Sequence, residues 1–363
     1  KNMGRRGKRA SKKRAAAINP PPPRPVVGVV WPETDQRTGR PKTTGTNRGI
    51  WEASFAAVDA ALAAKVANER NWRFGYRKHV QNNVRLACES KANALKIARA
   101  GLAKAMSEFK YKHPDAAEAV PLQEAMDTFT EDKFDTYVVE GELPKKVKTL
   151  KVPYEGKSGA PYYNYKPNTL LEGDMLKKQL KKWAEYGTIE MSAAKAISDV
   201  VDNQDTWLDL SDKYFVLIGA TSAMGPLEML LEHGANIIAV DIDRKNTWET
   251  LITKARNSCG KMFIPVRQGE LENLKGAEKS DEWYKNLAAV SGSNLLAATP
   301  EIRNWLVRIV PGEDLIIGNY TYLDGALHVQ LSVAANAIID SVCKTRGKAS
   351  ARGKRKKSTS IAF

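Results

Sequence analysis

Residues 214–241 constrain the fold more than any other part of this 363-residue chain. Tyr214–Ile218 is a short apolar run of the kind a parallel strand shows when both of its faces are buried. Gly219 follows at once, where a chain leaving a strand needs a φ that side chains resist and where backbone has to approach a ligand. Thr221 and Ser222 carry hydroxyls suited to the free N–H groups of a helix start, and Gly225 leaves room for a phosphate near that end of the helix dipole. Leu227, Leu230 and Leu231 have the spacing of a helix face laid on a sheet, and His233-Gly234 reads as the helix stop. Residues 237–240 form a second apolar strand. Asp241 closes it about twenty residues beyond the turn, where a carboxylate accepts from the hydroxyls of an adenosine ribose. This is the outline of a dinucleotide site, with Ala223, Met224 and Arg244 beside it and a carboxylate that favours NAD over NADP. The competing reading is a turn that only packs.

These residues resemble the short-chain dehydrogenase/reductase family and its extended relatives. The family's turn is Gly-x-x-x-Gly-x-Gly; here it stands as Gly219-Ala-Thr-Ser-Ala223-Met-Gly225, with a methyl group at the middle glycine that narrows the approach of a pyrophosphate. The resemblance covers roughly residues 213–344. It implies a doubly wound parallel Rossmann-type sheet, an NAD(P) cofactor, a serine at the end of the fifth strand and a Tyr-x-x-x-Lys pair in the next helix. In that pair the lysine lowers the tyrosine pKa, so that the phenol exchanges a proton with the substrate while hydride moves to nicotinamide. With residues 293–298 read as a fourth strand and 314–320 as a fifth, Tyr320 and Tyr322 stand where a catalyst is sought. Asp324 lies four residues after Tyr320 and Ala326 four after Tyr322, so the family's lysine is absent, and an aspartate raises a phenol pKa. A charged His328, i+4 from Asp324, is one replacement, and Asn319 one group to orient a carbonyl. The alternative gives these four side chains purely structural roles.

The rest of the chain divides by composition. Residues 1–49 read as a basic, proline-rich extended arm, with Trp31-Pro32 as a point for gripping a partner. Residues 50–109 have helical periodicity and read as two or three helices, opening a helical and then irregular region that runs to 168. Inside it, Trp72, Phe74 and Tyr76 lie among Arg70, Arg73, Arg77 and Lys78; the preferred reading is a packed helix connection, the other a surface that stacks on nucleic acid. Proline-rich residues 110–168 carry short strands at 136–139 and 149–152, and tyrosines at 161–167. A helical pair, at 170–186 and from Ser192 as N-cap to Val201, is expected to pack on the sheet that follows. Residues 344–363 read as a basic loop and the beginning of a strand, as if the chain were a piece of a longer protein.

The formal charge of +16 comes from the ends. Residues 1–24 hold nine Lys or Arg and residues 344–357 hold eight, with no acid in either. Such runs stay solvated unless an anionic partner, nucleic acid or an acidic protein surface, neutralises them. Three scattered cysteines and four histidines without ligand spacing give neither a disulfide framework nor a metal site. With no secretory pattern, an intracellular, cytoplasmic setting is expected, nuclear or organellar ones being the alternatives. No transmembrane segment is expected, because residues 326–339 are interrupted by His328, Gln330 and Asn336. Two functions remain: an NAD(P)-binding, dehydrogenase-like protein with altered or lost catalytic residues, or an inactive scaffold of the same fold fastened into an anionic assembly such as a ribonucleoprotein, an acidic protein complex or the cytoskeleton.

Overall fold

Apolar side chains that alternate between two buried faces make strands of the short runs in the second half of the chain. The computed structural model describes residues 27–145, 149–154, 169–349 and 359–362. In chain order it begins with β1 (Gly28–Val30), α1 (Thr43–Ala56), α2 (Ala60–Ala67), α3 (Trp72–Glu89) and α4 (Lys91–Glu108). Then come β2 (Lys110–Lys112), β3 (Val120–Pro121), α5 (Leu122–Thr128), β4 (Phe134–Glu140), β5 (Val152–Tyr154) and β6 (Thr169–Leu171). Helices α6 (Gly173–Tyr186), α7 (Met191–Asp202) and α8 (Gln204–Trp207) lead to β7 (Tyr214–Ile218), α9 (Leu227–Glu232) and β8 (Asn236–Val240). The remainder is α10 (Lys245–Arg256), β9 (Lys261–Arg267), α11 (Asp281–Val290), α12 (Thr299–Arg308), β10 (Leu315–Asn319), α13 (Gly325–Ala349) and β11 (Thr359–Ala362).

The protein is α/β, built on a six-stranded mixed sheet in the order β11-β10-β7-β8-β9-β4. The first five run parallel and β4 pairs antiparallel with β9 along the whole length of both. Val216 and Ile218 of β7 and Ile238 and Val240 of β8 enter one core, with α12 and α13. Leu217, Ile237 and Ala239 enter the other, with α9, α10 and α11. Burial on both faces is what a parallel sheet between helices requires. From β7 the chain builds outward through β8 and β9, then returns to the other side of β7 for β10, which opens a crevice at the carboxyl ends of β7 and β10.

Several expectations change. Residues 293–298 are not a strand. Asn294 Oδ1 accepts the amides of Leu296 and Ala297, both at 3.1 Å, and this side-chain turn leads directly into α12. Consequently β10 is the fourth parallel strand in chain order and β11 the fifth. The antiparallel edge is β4, which contains the short strand expected at 136–139, and Trp305 of α12 fixes it by donating to Thr136 Oγ1 at 2.8 Å. Residues 43–108 make four helices, whose Phe55, Leu62, Val66, Leu86 and Ile97 share a core. The helical pair α6 and α7 does not lie on the sheet: Leu176, Leu180, Ala194 and Val201 cluster instead with Tyr154 and Leu171 of the β5–β6 hairpin. Glu190, not Ser192, is the N-cap position of α7. Trp31 is not offered to a partner on the surface but buried, 4.7 Å from the Phe109 ring, and its indole donates to Ala326 O.

The basic ends are described only in part. Residues 1–24 and 350–357, like the tyrosines of 161–167, lie outside the described residues. Within 344–357, Arg346 is spent on structure: its guanidinium donates to the carbonyls of Leu306, Val307, Ile309, Val310 and Glu313, closing the end of α12 around Val310, which holds φ at +40°. Lys344 pairs with Asp340 one helical turn away. By length and composition, 325–346 is long and apolar enough to cross a membrane, at a mean hydropathy of 1.3, and no other helix among the described residues is. Here that helix supplies Val333, Ala334, Ala337, Ile338 and Val342 to the sheet's core.

Candidate functional site

Between the ends of β7, β8 and β10 lies an open cleft of about 820 Å³. It has the size of a small-ligand site, with a largely apolar lining and a few polar groups. Gly219, Thr221, Ser222, Ala223 and Met224 form its floor, Asp241 and Arg244 one end, and Tyr320 and Tyr322 the other. The structure thus brings most of the residues expected from sequence to one place.

The turn after β7 is shaped by its own hydrogen bonds. Gly219 has φ +84°, and its amide donates to Val240 O at 2.8 Å. A Cβ on Gly219 would stand 3.2 Å from Thr321 N and Tyr320 C, so this glycine lets the β7 and β10 ends touch. The Ser222 amide donates to Gly219 O and the Gly225 amide to Ser222 O. Ala223 and Met224 sit between them at the bend, exposed, with amides that donate to no group among the described residues. Met224 is 90% exposed, so it does not close the turn. The expectation of a helix opening at Thr221 and Ser222 is corrected: α9 starts only at Leu227, behind Pro226, and Gly225 lies beneath the Tyr320 ring, 3.7 Å from it when a Cβ is added, without lining the cleft.

Asp241 is turned into the bend. One carboxylate oxygen accepts the amide and the hydroxyl of Thr221, each at 2.7 Å, and the other accepts the Ile242 amide at 2.8 Å. A carboxylate offers about four lone-pair directions, so one remains for a sugar hydroxyl. Arg244, exposed beside it, makes no ion pair among the described residues.

The four proposed catalytic side chains are held by neighbours. Asn319 Oδ1 accepts the amide and hydroxyl of Thr321, and Asn319 itself does not line the cleft. The Tyr320 ring folds over Gly318, where an added Cβ would stand 2.4 Å from its Cε2. Tyr322, 75% exposed, donates to Asp324 Oδ1 at 3.1 Å. His328 accepts the Leu323 amide at Nδ1, 3.3 Å away. Moreover, the family resemblance sets its serine and tyrosine on and after the fifth strand, and these residues follow the fourth.

Two features of the far wall carried no sequence signal. Ser293 is buried at the cleft edge, its amide donating to Asp241 O and its hydroxyl without a partner among the described residues. Behind Leu295 and Leu296 lies a buried group 190 residues apart in sequence: the Tyr111 hydroxyl donates to Ala297 O at 2.6 Å and is 3.3 Å from Glu301 Oε2. The one phenol proton is shared between the Ala297 carbonyl and the Glu301 carboxyl oxygens, which both accept from it. Burial, foremost, pushes the Glu301 carboxyl above its ordinary value, and His113, 3.6 Å away, opposes that rise. Burial and then the Glu301 charge raise the Tyr111 phenol. A raised carboxyl pKa in the folded state means that stability is fully present below the ordinary glutamate value and is lost as pH rises through the folded one. Denaturant midpoints measured across this range are expected to fall for the wild type and to stay flat for Glu301→Gln; parallel curves would refute the assignment.

No model of a known protein family, no curated protein and no solved structure matches the chain.

Proposed function

We propose that the cleft binds an adenine dinucleotide and that the protein is a dehydrogenase-like, NAD(P)-binding protein of Rossmann type. The observation that carries this is the pair of free amides at Ala223 and Met224, on the floor of a cleft lying where the strand order reverses. Counted among the parallel strands alone, the order is third, second, first, fourth, fifth, which is the arrangement that places a dinucleotide across that crevice. The diphosphate sits on the two amides and the Ser222 hydroxyl, without help from α9, which begins further on. The adenosine ribose takes the remaining lone pair of Asp241, and the second half of the ligand runs towards Tyr320, Tyr322 and Leu327. NAD is favoured over NADP because a carboxylate repels a 2′-phosphate, but Arg244 beside it holds that preference below about tenfold. The reading concerns binding; hydride transfer is assigned to no residue, because the four candidate catalysts are engaged locally.

The test is titration of the protein with NADH and with NADPH, followed by nicotinamide fluorescence. Saturable binding is expected, tighter for NADH. Ala223→Trp fills the exposed bend without touching either core, and is expected to weaken both ligands at least about tenfold with an unchanged unfolding midpoint. No saturable binding by the wild type, or binding indifferent to Ala223→Trp, would remove the proposal.

A further inference from the structure

The basic ends do not hold all of the chain's unbalanced charge. Between residues 70 and 104 there are nine Lys or Arg and a single acid, Glu89. All of these but Arg70 belong to α3 and α4, a helical hairpin whose turn is capped by Ser90 accepting the Asn93 amide at 3.1 Å. Helix α3 turns Trp72, His79 and Leu86, spaced by seven residues, towards the small core of α1 and α2. The Trp72 ring stacks on that of His79 at 5.9 Å, and Glu69, held down to about 2 chiefly by the Lys78 ammonium, closes the other side of the imidazole. Trp72 is therefore packed, as the preferred sequence reading expects of the whole aromatic group.

Phe74 is not. It is 72% exposed, and Tyr76 is 42% exposed. At 100° per residue, Arg73, Phe74, Arg77, Gln81, Val84 and Arg85 fall on one arc, opposite the Trp72, His79 and Leu86 stripe. All six are exposed, and Arg73, Arg77 and Arg85 form no ion pair among the described residues. Planar guanidinium groups one and two helical turns apart, around an unsupported phenyl ring, present charge for phosphates and flat faces for bases together. An acidic protein would satisfy the arginines and leave Phe74 in water. A membrane surface needs an apolar helix face, and that of α3 is already buried in the hairpin core.

We infer that the outer face of α3 is a binding site for single-stranded nucleic acid, in which Phe74 stacks on a base and Arg73, Arg77 and Arg85 contact the backbone phosphates. This site is separate from the cleft and does not depend on what the cleft binds. Recognition is of the strand and not of its sequence, since stacking tolerates every base.

The experiment measures binding of a labelled 20-nucleotide single strand, RNA or DNA, to the full chain over a range of salt, with polyglutamate as a competing polyanion. Arg73→Glu/Arg77→Glu/Arg85→Glu is expected to weaken binding more than about tenfold and to lower the slope of log affinity against log salt by about 2, the share of three phosphate contacts. Phe74→Ala is expected to weaken it about fivefold or more at every salt concentration with the slope unchanged, and to erase the preference for the oligonucleotide over polyglutamate. Lys178→Glu/Lys182→Glu, on the exposed face of α6, controls for net charge and is expected to leave the Phe74 effect intact. Because Phe74 is exposed, its removal is not expected to move the unfolding midpoint. Wild-type affinity in Phe74→Ala, or equal losses for polyglutamate and the oligonucleotide in both variants, would overturn the site and point to the basic ends or to an acidic protein.

Discussion

Gly219→Val is expected to destabilise the protein by about 3 kcal/mol and to abolish ligand binding in the cleft. Two costs add. A β-branched residue at φ +84° occupies a backbone region that costs L-residues roughly 1–2 kcal/mol, and its Cβ would meet the Thr321 amide and Tyr320 carbonyl carbon at 3.2 Å. Those are backbone atoms of the neighbouring strand end and have little freedom to retreat, so an overpacking penalty of about 1–3 kcal/mol follows. Relief comes only by moving the β10 end away from β7, which distorts the floor of the cleft. Gly219→Ala carries the same φ penalty with a smaller clash and should cost about 1–2 kcal/mol. Urea denaturation of both variants measures this; a valine variant within about 0.5 kcal/mol of wild type would show that the turn does not hold the conformation described.

Asp241→Ala is the second large effect, about 2 kcal/mol, and it appears even with no ligand present. The carboxylate accepts three protein donors, two from Thr221 and one from Ile242, and hydrogen bonds to a charged acceptor contribute about 1.5–3 kcal/mol where they are sheltered. Thr221 is exposed, so water recovers part of the loss. Asp241→Asn keeps one carbonyl acceptor and is expected to lose about half as much. For ligand binding, both variants confound the sugar contact with the shape of the bend, and Arg244→Glu separates the two. It touches no protein partner among the described residues and should weaken NADPH more than NADH while leaving the unfolding midpoint in place. Equal stability of Asp241→Ala and wild type would mean that the carboxylate does not brace the turn.

The sequence carried the local features because local chemistry decides them. Strands β7, β8, β9 and β10 were legible in apolar runs flanked by turn residues, and the positive φ of Gly219 and Gly234 in the need to leave a strand and end a helix. The misreadings share one cause. Leu295 to Ala298 has strand composition, yet the Asn294 side chain offers the following amides a turn, and a single extra strand in the count moves Tyr320 and Tyr322 from the fourth strand to the fifth. Trp31 beside a proline-rich arm reads as exposed, and is buried because Phe109 and Ala326, distant in sequence, close over it. Arg346 sits in a run of cations and is withdrawn from that run by five carbonyls of residues 306–313.

By itself, then, the chain determined where backbone extends, bends and coils, because φ preferences, side-chain caps and the periods of apolar residues act over a few neighbours. Only the tertiary structure decided which donors reach which acceptors. It turned Asp241 towards Thr221, set the Glu301 carboxyl against the Tyr111 hydroxyl and left Phe74 in water while Trp72 was covered. Those outcomes depend on the distance and burial of groups far apart in the chain, and residue type and spacing carry no record of either.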